Sequence, residues 1–354
     1  MIKVESFSKE WLTKLRRDLK FRNSAVAEKM IHAIAFVEAI ASSQLDFILK
    51  GGTSLIFLIE PVRRFSVDVD IVTQVERDEV ENTLSLICEK DNFHTFEYDE
   101  RRSFNYGIPK AHYKIFYTSK VTGKEDRLIL DILFEENKYP KILTKSIKSS
   151  LVNSVEPVMY VRVPSKEAIL GDKLTAFAPT TTGILFGKNK ELEMAKQLFD
   201  IGVLFDHIQD ISEVRTSFLD FAQTEIEYRN LKIIPEDVLN DSINTAFLIA
   251  SKGAGLSSEA DINFKELIKG FKSLNQFLIN GRFTLDEAIV ASAKAALIAM
   301  RVMKNDLSAI ERFSEQSTRD YLIENPKYNF LNKLKKIPGG VLFYWNKTVQ
   351  LLEE

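Results

Sequence analysis

The spacing of apolar and polar residues changes character near residue 160. Before that point, segments with helical spacing of apolar residues alternate with short β-branched segments in which apolar and polar positions alternate. From residue 165 onwards, almost every patterned segment has helical spacing. The pattern therefore predicts an α+β chain, with a mixed α and β domain over residues 1–160 and a mostly helical domain over residues 161–354.

Glycine, proline and capping residues help to place the ends of the predicted elements. Helices are predicted at residues 8–20, 24–42, 53–60, 77–90, 165–178, 189–208, 235–251, 263–280, 284–304 and 338–353. Strands are predicted at residues 47–50, 65–73, 94–104, 111–119, 126–135 and 158–165.

Composition narrows the class of protein. Of 354 residues, 45% are hydrophobic and 28% are charged, as in ordinary globular proteins. The net charge of −2 gives no global basic field for nucleic acid, although the lysine-rich segment KYPKILTKSIKSS leaves open a local RNA-binding strip or a solvated surface. A single cysteine, a charged start and no apolar stretch of about 20 residues predict a cytoplasmic protein with no membrane attachment.

Two aspartates, Asp68 and Asp70, lie one residue apart in the valine-rich segment FSVDVDIVT. Alternate residues of a strand point to the same face, so both carboxylates share one face with Ser66. Charged side chains are rarely buried without a partner. Carboxylate and phosphate oxygens are the ligands that Mg²⁺ prefers, so this pair is expected to hold one cation or bridge two.

A third carboxylate, Asp131, is embedded in the apolar segment LILDILFEE. If its strand lies beside the strand of Asp68 and Asp70, the three carboxylates converge. Two magnesium ions about 3.5–4 Å apart can clamp the attacking and leaving oxygens of a phosphoryl displacement. The predicted metal ligands are therefore Asp68, Asp70 and Asp131, with Mg²⁺ or Mn²⁺ as the metal.

A glycine pair supplies the matching anion site. Gly51 and Gly52 end a predicted strand, and Thr53 and Ser54 begin the next predicted helix. Free backbone N–H groups at such a turn favour phosphate, and glycine allows a ligand to approach the backbone closely. These four residues are therefore predicted to cradle the β- and γ-phosphates of a nucleoside triphosphate.

Each motif also has a structural interpretation. A GGTS segment is a common turn, an Asp-x-Asp strand is often an exposed polar face, and Asp131 alone fits an ion-paired core residue. Arg63 and Arg64 are interpreted as a solvated pair in preference to a phosphate contact, and His112 as a packing residue. The conjunction of the three motifs in this order favours nucleotide binding. A Walker motif is excluded, because GILFGKN has the wrong glycine spacing and no Ser or Thr after its lysine.

The order of these motifs resembles the DNA polymerase β-like nucleotidyltransferase superfamily. The fuller set is similar to the AbiEii/AbiGii toxin family: LKGGTSL…RRFSVDVDI, LILDILF, SKEAILGDKLTAFAPTTTGI and EMAKQLFDIGVLFD. The resemblance covers about residues 45–210. It implies a nucleotidyltransferase-like mixed sheet in the N-terminal domain and a helical C-terminal domain that completes the nucleotide and acceptor cleft.

The resemblance also assigns residues. Ser66 falls with Asp68 and Asp70 on the family's strand motif, where it is expected to contribute to nucleotide binding. Asp131 falls on the third carboxylate, which would complete the second metal position and orient or help deprotonate the acceptor hydroxyl. These assignments agree with the predictions made from the residues alone.

Two helical motifs of the family fall on Lys173 and Asp200. Lys173 would neutralise phosphate charge, and Asp200 would orient Lys173 or contact the nucleotide. Lys173 also lies between apolar positions of a helix, where its charge needs an anion; a triphosphate, Asp172 or Asp200 would serve. Gln197 departs from the pattern, because many relatives have an aspartate there.

The resemblance implies magnesium-dependent transfer of a nucleoside monophosphate to an acceptor hydroxyl, with release of pyrophosphate. It also implies a toxin opposed by a separate antitoxin, with RNA as acceptor and the 3′ end of tRNA favoured. Two alternatives stay open: an enzyme that modifies a small-molecule or protein hydroxyl, and a non-catalytic module that binds a nucleotide or a partner. The second is disfavoured, because unpaired acids within a strand are costly without a metal.

Overall fold

The computed structural model describes residues 1–90, 92–103, 108–253, 257–316 and 321–354, which form two compact units. The first unit comprises Met1–Ser165 and Gln276–Arg282, and the second comprises Lys166–Asn275 and Phe283–Glu354. The predicted α+β class, with a mixed sheet in the N-terminal part and helices in the C-terminal part, is confirmed.

The first unit contains strands and helices in alternation. Its strands are β1 (Ile48–Lys50), β2 (Asp68–Thr73), β3 (Thr95–Tyr98), β4 (Lys110–Thr118), β5 (Glu125–Phe134), β6 (Ile142–Ser146) and β7 (Tyr160–Pro164). Its helices are α1 (Lys9–Leu19), α2 (Ser24–Ser42), the single turn α3 (Gly51–Ser54), α4 (Arg77–Lys90) and α5 (Glu100–Ser103), with 3₁₀ turns at Val4–Phe7 and Leu55–Phe57.

The main sheet has the strand order β1-β2-β5-β4-β3. Strands β2 and β5 run parallel, and every other neighbouring pair in this order is antiparallel. One face is apolar and fully buried, with Val69, Ile71, Leu130 and Ile132 among the residues of the core to which α2 also contributes. The alternation within β2 and β5 places the aspartates on the opposite face.

Several predicted elements end earlier than expected, and two of them lie near the main sheet. The predicted strand 94–104 stops at Tyr98, because Asp99 Oδ1 accepts a hydrogen bond from the Arg102 backbone N–H at 3.2 Å and so begins the helical turn α5; position 104 lies outside the described residues. The predicted helix 53–60 is instead α3 followed by a 3₁₀ turn. In addition, β6 forms from the lysine-rich segment that was not predicted as a strand, and it pairs with β7.

Helices form the second unit in its described part. They are α6 (Lys166–Ala176), α7 (Glu191–Phe205), α8 (Ile211–Tyr228), α9 (Pro235–Ala250), α10 (Ser258–Leu274), α11 (Leu285–Met303) and α12 (Val341–Glu353), with a 3₁₀ helix at Asn329–Lys336. The alanine-rich α11 packs against α7, α9 and α12. A β-carbon at Gly202 of α7 would lie 2.9 Å from the Ala291 β-carbon, so glycine permits the close approach of α7 and α11.

One segment crosses the predicted domain boundary. The predicted helix 263–280 is wrong at its C-terminal end, because α10 stops at Leu274. The chain then continues through Gln276–Arg282, which belongs to the first unit. There the Phe277 carbonyl accepts a hydrogen bond of 2.7 Å from the Phe65 backbone N–H. The first unit ends its N-terminal stretch at Ser165, five residues later than the predicted boundary.

A search of the described ranges for membrane-spanning segments finds none, since each helix there is either too short or too polar to cross a bilayer.

Candidate active site

A row of polar residues crosses the main sheet at a single register position. Asp70 of β2 pairs with Lys50 of β1 on one side and with Asp131 of β5 on the other. Asp131 pairs in turn with His112 of β4. Neighbouring strands lie about 4.8 Å apart, and residues in register point to the same face. The strand adjacency required for the predicted carboxylates to converge is therefore present, with Asp68 two residues before Asp70 on the same face.

The aspartates lie on the wetter face of the sheet. Asp68, Asp70 and Asp131 are each of intermediate exposure, whereas their strand neighbours Val69 and Ile71 are fully buried. The Asp131 side chain retains 28% of its exposure. The three aspartates therefore lie on a face that a ligand can reach. The valine and isoleucine side chains between them point to the opposite face and pack in the hydrophobic core.

The single helical turn α3, Gly51–Ser54, is called the glycine turn below, and it packs directly against this face. Gly51 has a φ of +67°, and a β-carbon there would overlap the Asp70 carboxylate. Left-handed backbone of this kind is accessible to glycine at little cost. The backbone at Gly51 is therefore in contact with a predicted metal ligand, which is the arrangement expected if phosphates and metal share one site.

Arg64 and Ser66 lie over the second glycine of the turn. A β-carbon at Gly52 would lie 2.6 Å from Arg64 Nη2 and 2.7 Å from Ser66 Oγ. Arg64 is 8% exposed, and its Nη1 donates a hydrogen bond of 2.9 Å to the Phe65 carbonyl. The interpretation of Arg64 as a solvated residue is wrong: its guanidinium is buried beside the turn. The sequence feature that could have indicated a buried Arg64 is its position two residues before Ser66, which was itself predicted to belong to the site.

The hydroxyls of Thr53 and Ser54 are engaged with the backbone. Both residues are completely buried. Thr53 Oγ1 donates to the Asp68 carbonyl, and Ser54 Oγ donates to the Gly51 carbonyl at 2.8 Å. The Thr53 hydrogen bond ties the glycine turn to β2, and the Ser54 hydrogen bond closes the turn on itself. The predicted phosphate contacts of Thr53 and Ser54 therefore rest on their backbone N–H groups and stay a prediction.

His112 contacts the third carboxylate. Its Nδ1 hydrogen-bonds to Asp131 Oδ1, and its side chain is 13% exposed. The interpretation of His112 as a packing residue missed this contact. It could have been found by counting, because β4 and β5 form a hairpin in which Thr118 pairs with Glu125, and positions 112 and 131 are equally far from that turn.

Acidic and basic groups also meet near the middle of β4. Lys114 Nζ lies 3.4 Å from Asp99 Oδ2 and 3.5 Å from Glu97 Oε1. Desolvation raises the pKa of the Asp99 carboxyl, but hydrogen bonds from the Arg102 backbone N–H and Lys114 outweigh it and hold the pKa below its ordinary value. The charge of Lys114 is thus shared between two carboxylates outside the row that contains Asp131.

The donor chemistry of the row fits a hard divalent cation. Two carboxylates lie side by side on neighbouring strands and a third is two residues away, and carboxylate oxygens are suitable ligands for Mg²⁺ or Mn²⁺. Within the described residues, however, no three His, Cys, Asp or Glu side chains are gathered as a ready metal site. One of the three carboxylates, Asp131, is paired with His112.

Lys173 and Asp200 form a buried ion pair within the second unit. Lys173 Nζ of α6 lies 2.7 Å from Asp200 Oδ2 of α7, and the two side chains are 7% and 2% exposed. Nζ also donates a hydrogen bond of 3.0 Å to Gln197 Oε1. This contact is common to the expectation that Asp200 orients Lys173 and to the alternative of a purely structural salt bridge, so the phosphate contact of Lys173 stays a prediction. Gln197, the residue that departs from the expected family pattern, therefore contributes an amide oxygen to this pair.

Two solved structures from Helicobacter pylori are among those that match this chain. A crystal structure of a candidate nucleotidyltransferase from H. pylori is 19% identical, with 80% of this chain and 97% of that chain covered and a TM-score of 0.45. JHP933 from Helicobacter pylori is 18% identical, with 84% and 94% covered and a TM-score of 0.44. A comparison with curated proteins gives no match.

A family profile gives the assignment. The profile for the nucleotidyl transferase AbiEii toxin of type IV toxin–antitoxin systems matches residues 36–274, which is more than half of the chain. The matched region includes the glycine turn, the three aspartates and the Lys173–Asp200 pair. The chain therefore belongs to the AbiEii family of nucleotidyltransferase toxins.

Proposed function

We propose that this protein transfers a nucleoside monophosphate from a nucleoside triphosphate to an acceptor hydroxyl, with Mg²⁺ or Mn²⁺ as the metal. The observation that carries the proposal is the side-by-side register of Asp70 and Asp131 on parallel strands, with Gly51 in contact with Asp70. Carboxylates and a close backbone approach are what a metal–triphosphate complex needs.

In this proposal the three aspartates bind metal at two positions. Asp68 and Asp70 would hold the metal that carries the triphosphate, and Asp131 would complete the second metal position. A bound divalent cation stabilises the negative charge that develops on the transferred phosphoryl group. Asp131 would also orient the acceptor hydroxyl or help remove its proton.

The phosphates would lie on the glycine turn. Backbone N–H groups of Gly51, Gly52, Thr53 and Ser54 are the proposed donors to the β- and γ-phosphates. The Ser66 hydroxyl, close to Gly52, is the proposed side-chain donor. Backbone donors suit this role, because they are fixed before the nucleotide binds and need no reorganisation as charge develops.

The reaction is an in-line displacement. The acceptor oxygen forms a bond to the α-phosphorus, the bond from that phosphorus to the bridging oxygen of the β-phosphate breaks, and pyrophosphate leaves with its electron pair. The acceptor proton passes to Asp131 or to solvent. The protein supplies positioning and electrostatic stabilisation, which are the main contributions in phosphoryl transfer.

RNA is the proposed acceptor, with the 3′ end of tRNA favoured, and a separate antitoxin is the proposed partner. The family assignment supports the toxin role.

The test incubates the protein with each α-labelled nucleoside triphosphate, Mg²⁺ and one acceptor class at a time: total RNA, total protein or small-molecule extract. Label in RNA supports the proposal. Label confined to protein or small molecules moves the acceptor to the other class, and no label in any fraction overturns the proposal.

The toxin role has its own test in growing bacteria. Expression of the chain without a partner is expected to slow growth, and Asp68→Ala is expected to relieve this effect at equal protein level. Equal growth inhibition by both proteins would show that inhibition does not depend on nucleotide transfer.

A further inference from the structure

We propose that His112 is a positioning residue that fixes the Asp131 carboxylate for nucleotide transfer. This inference rests on the proposed function, because it concerns the same site. It follows from a direct contact between the imidazole and the third carboxylate, which places His112 next to the reacting groups without making it a metal ligand.

The backbone of His112 is held at the position that the contact needs. Its N–H donates a hydrogen bond of 2.9 Å to Ser103 Oγ, and its carbonyl accepts one of 2.8 Å from the Asp99 N–H. On the other side, β4 pairs with β5 so that His112 and Asp131 are register partners. Anchoring from both sides fixes the backbone of His112 opposite Asp131, within reach of its carboxylate.

The contact also gives the two carboxylate oxygens of Asp131 different roles. His112 Nδ1 engages Oδ1, and within the described residues it is the hydrogen-bond partner that the structure gives this carboxylate. Oδ2 is then available for a metal or an acceptor hydroxyl. A carboxylate on a strand can rotate about its terminal bond, so a hydrogen bond to one oxygen fixes the direction of the other.

The expected size of the effect follows from comparable arrangements. Groups that orient a metal-binding side chain without touching the metal typically change affinity or activity about 10–100-fold when removed. Loss of the imidazole is therefore expected to lower kcat about 10–100-fold. It should change the KM for nucleotide little, because the glycine turn and the Asp68–Asp70 pair do not depend on His112.

The first test examines the contact itself, without nucleotide or metal. A hydrogen bond through Nδ1 places the ring proton on Nδ1, whereas an imidazole without this partner favours the Nε2–H form. The protein has four histidines, so long-range ¹H–¹⁵N spectra at pH ~8.5, about two units above the ordinary histidine pKa, can resolve His112. The Nδ1–H form is expected in the wild type and its loss in Asp131→Ala. A wild-type His112 in the Nε2–H form would overturn the inference.

The second test separates a donor role from a merely structural role. His112→Asn keeps an N–H donor near the position of Nδ1, whereas His112→Gln carries its donor farther out and His112→Ala has none. The inference predicts that kcat falls in the Ala and Gln variants and recovers substantially in the Asn variant, at similar melting temperatures. His94→Ala is the matched control, because His94 hydrogen-bonds to Thr118 at the other end of β4.

The outcomes distinguish this inference from the proposed function. Active wild type with unchanged kcat in His112→Ala would overturn the positioning role alone. Equal loss in the Asn and Ala variants would also overturn it, since the donor would then not matter. Wild type that transfers no nucleotide to any acceptor would overturn the proposed function together with the role of His112 in it.

Discussion

The Gly51 backbone lies so close to Asp70 that a β-carbon at Gly51 would overlap the aspartate's Oδ2. This contact joins the proposed phosphate-binding turn to the strand of the proposed metal ligands. A substitution at Gly51 therefore acts on Asp70 as well as on the turn.

Gly51→Ala is expected to destabilise the fold and to reduce nucleotide transfer. Left-handed backbone alone costs alanine about 1–2 kcal/mol, and displacement of Asp70 adds to that cost. Gly123→Ala is the matched control, because Gly123 has a φ of +68° and a β-carbon there would have no neighbouring atom within 4 Å. Urea unfolding and label transfer measure both effects. Equal losses of stability in the two variants, with full transfer by Gly51→Ala, would contradict the importance of the Gly51–Asp70 contact.

Much of the site could be predicted from local sequence. Alternation in FSVDVDIVT gives the shared face of Asp68 and Asp70, and the apolar setting of Asp131 marks it as an inner-strand charge. Which residues join them depends on register between strands that are distant in sequence. Lys50 and Arg64 reach the row and the turn through such non-local packing, and periodicity does not encode it.

As with the site, the parts of the fold that depend on local sequence could be predicted, and the parts that depend on contacts between distant residues could not. Long helices such as α2 and α4 have the predicted bounds, because spacing and caps act within a few residues. The helix α8 was not predicted, although Asp210 caps it and accepts hydrogen bonds from two backbone N–H groups. The return of Gln276–Arg282 to the first unit depends on backbone pairing with residues more than 200 positions earlier, for which a single sequence has no local signal.

Lys173→Met should destabilise the protein strongly. The substitution leaves the Asp200 carboxylate, only 2% exposed, without its ammonium, and breaking a buried pair in this way costs on the order of 3–5 kcal/mol. A Lys173→Met, Asp200→Asn double variant should recover much of the loss. Lys269→Met is the control: Lys269 is 66% exposed in its pair with Glu191, and such surface pairs contribute about 0–1 kcal/mol.

The same Lys173 variant also tests the predicted phosphate contact. Melting temperature and nucleotide transfer should be measured on one preparation. A destabilised Lys173→Met protein whose folded fraction still transfers nucleotide would limit Lys173 to an architectural role. A normally stable but inactive variant would support the phosphate contact and contradict the importance of the buried ion pair.

His32 is expected to make the fold sensitive to acid. Its ring stacks on Tyr117 at 3.8 Å, and neither ring nitrogen has a hydrogen-bond partner among the described residues. Desolvation by burial lowers its pKa to about 3. The unfolded chain, with an ordinary histidine pKa of about 6.5, therefore binds more protons than the native state, and stability falls as pH drops from 6.5 towards 3.

The measurement is urea unfolding of the wild type and His32→Phe at pH ~7.5 and ~5. Protonation of His32 in the unfolded chain lowers the free energy of unfolding by about 1.4 kcal/mol per pH unit below the ordinary histidine pKa. By pH 5 the wild type should therefore lose about 2 kcal/mol more of its free energy of unfolding than the variant. Phenylalanine suits this aromatic site, and exposed His94→Gln should retain the wild-type dependence. An identical pH dependence in His32→Phe would show that burial does not lower the pKa of His32 in the native protein.

Metal and nucleotide together should raise the melting temperature. A ligand that binds only the native state stabilises it by about 2.7 kcal/mol at a hundredfold excess over its dissociation constant. With Mg²⁺ or Mn²⁺ and a nucleoside triphosphate, this shift is expected in the wild type and should be lost in the Asp68→Asn, Asp70→Asn double variant. A full shift in the double variant would exclude these carboxylates as the metal site.

The most direct test of the central claim is transfer of label from α-³²P nucleoside triphosphates to RNA by three proteins at equal concentration. These are the wild type, the Asp68→Asn, Asp70→Asn double variant and Asp78→Asn, in which an exposed aspartate of the same unit is changed. Labelled RNA is expected with the wild type and Asp78→Asn, and none with the double variant, although all three are folded. Transfer by the double variant at the wild-type rate would contradict the assignment of this strand as the catalytic centre.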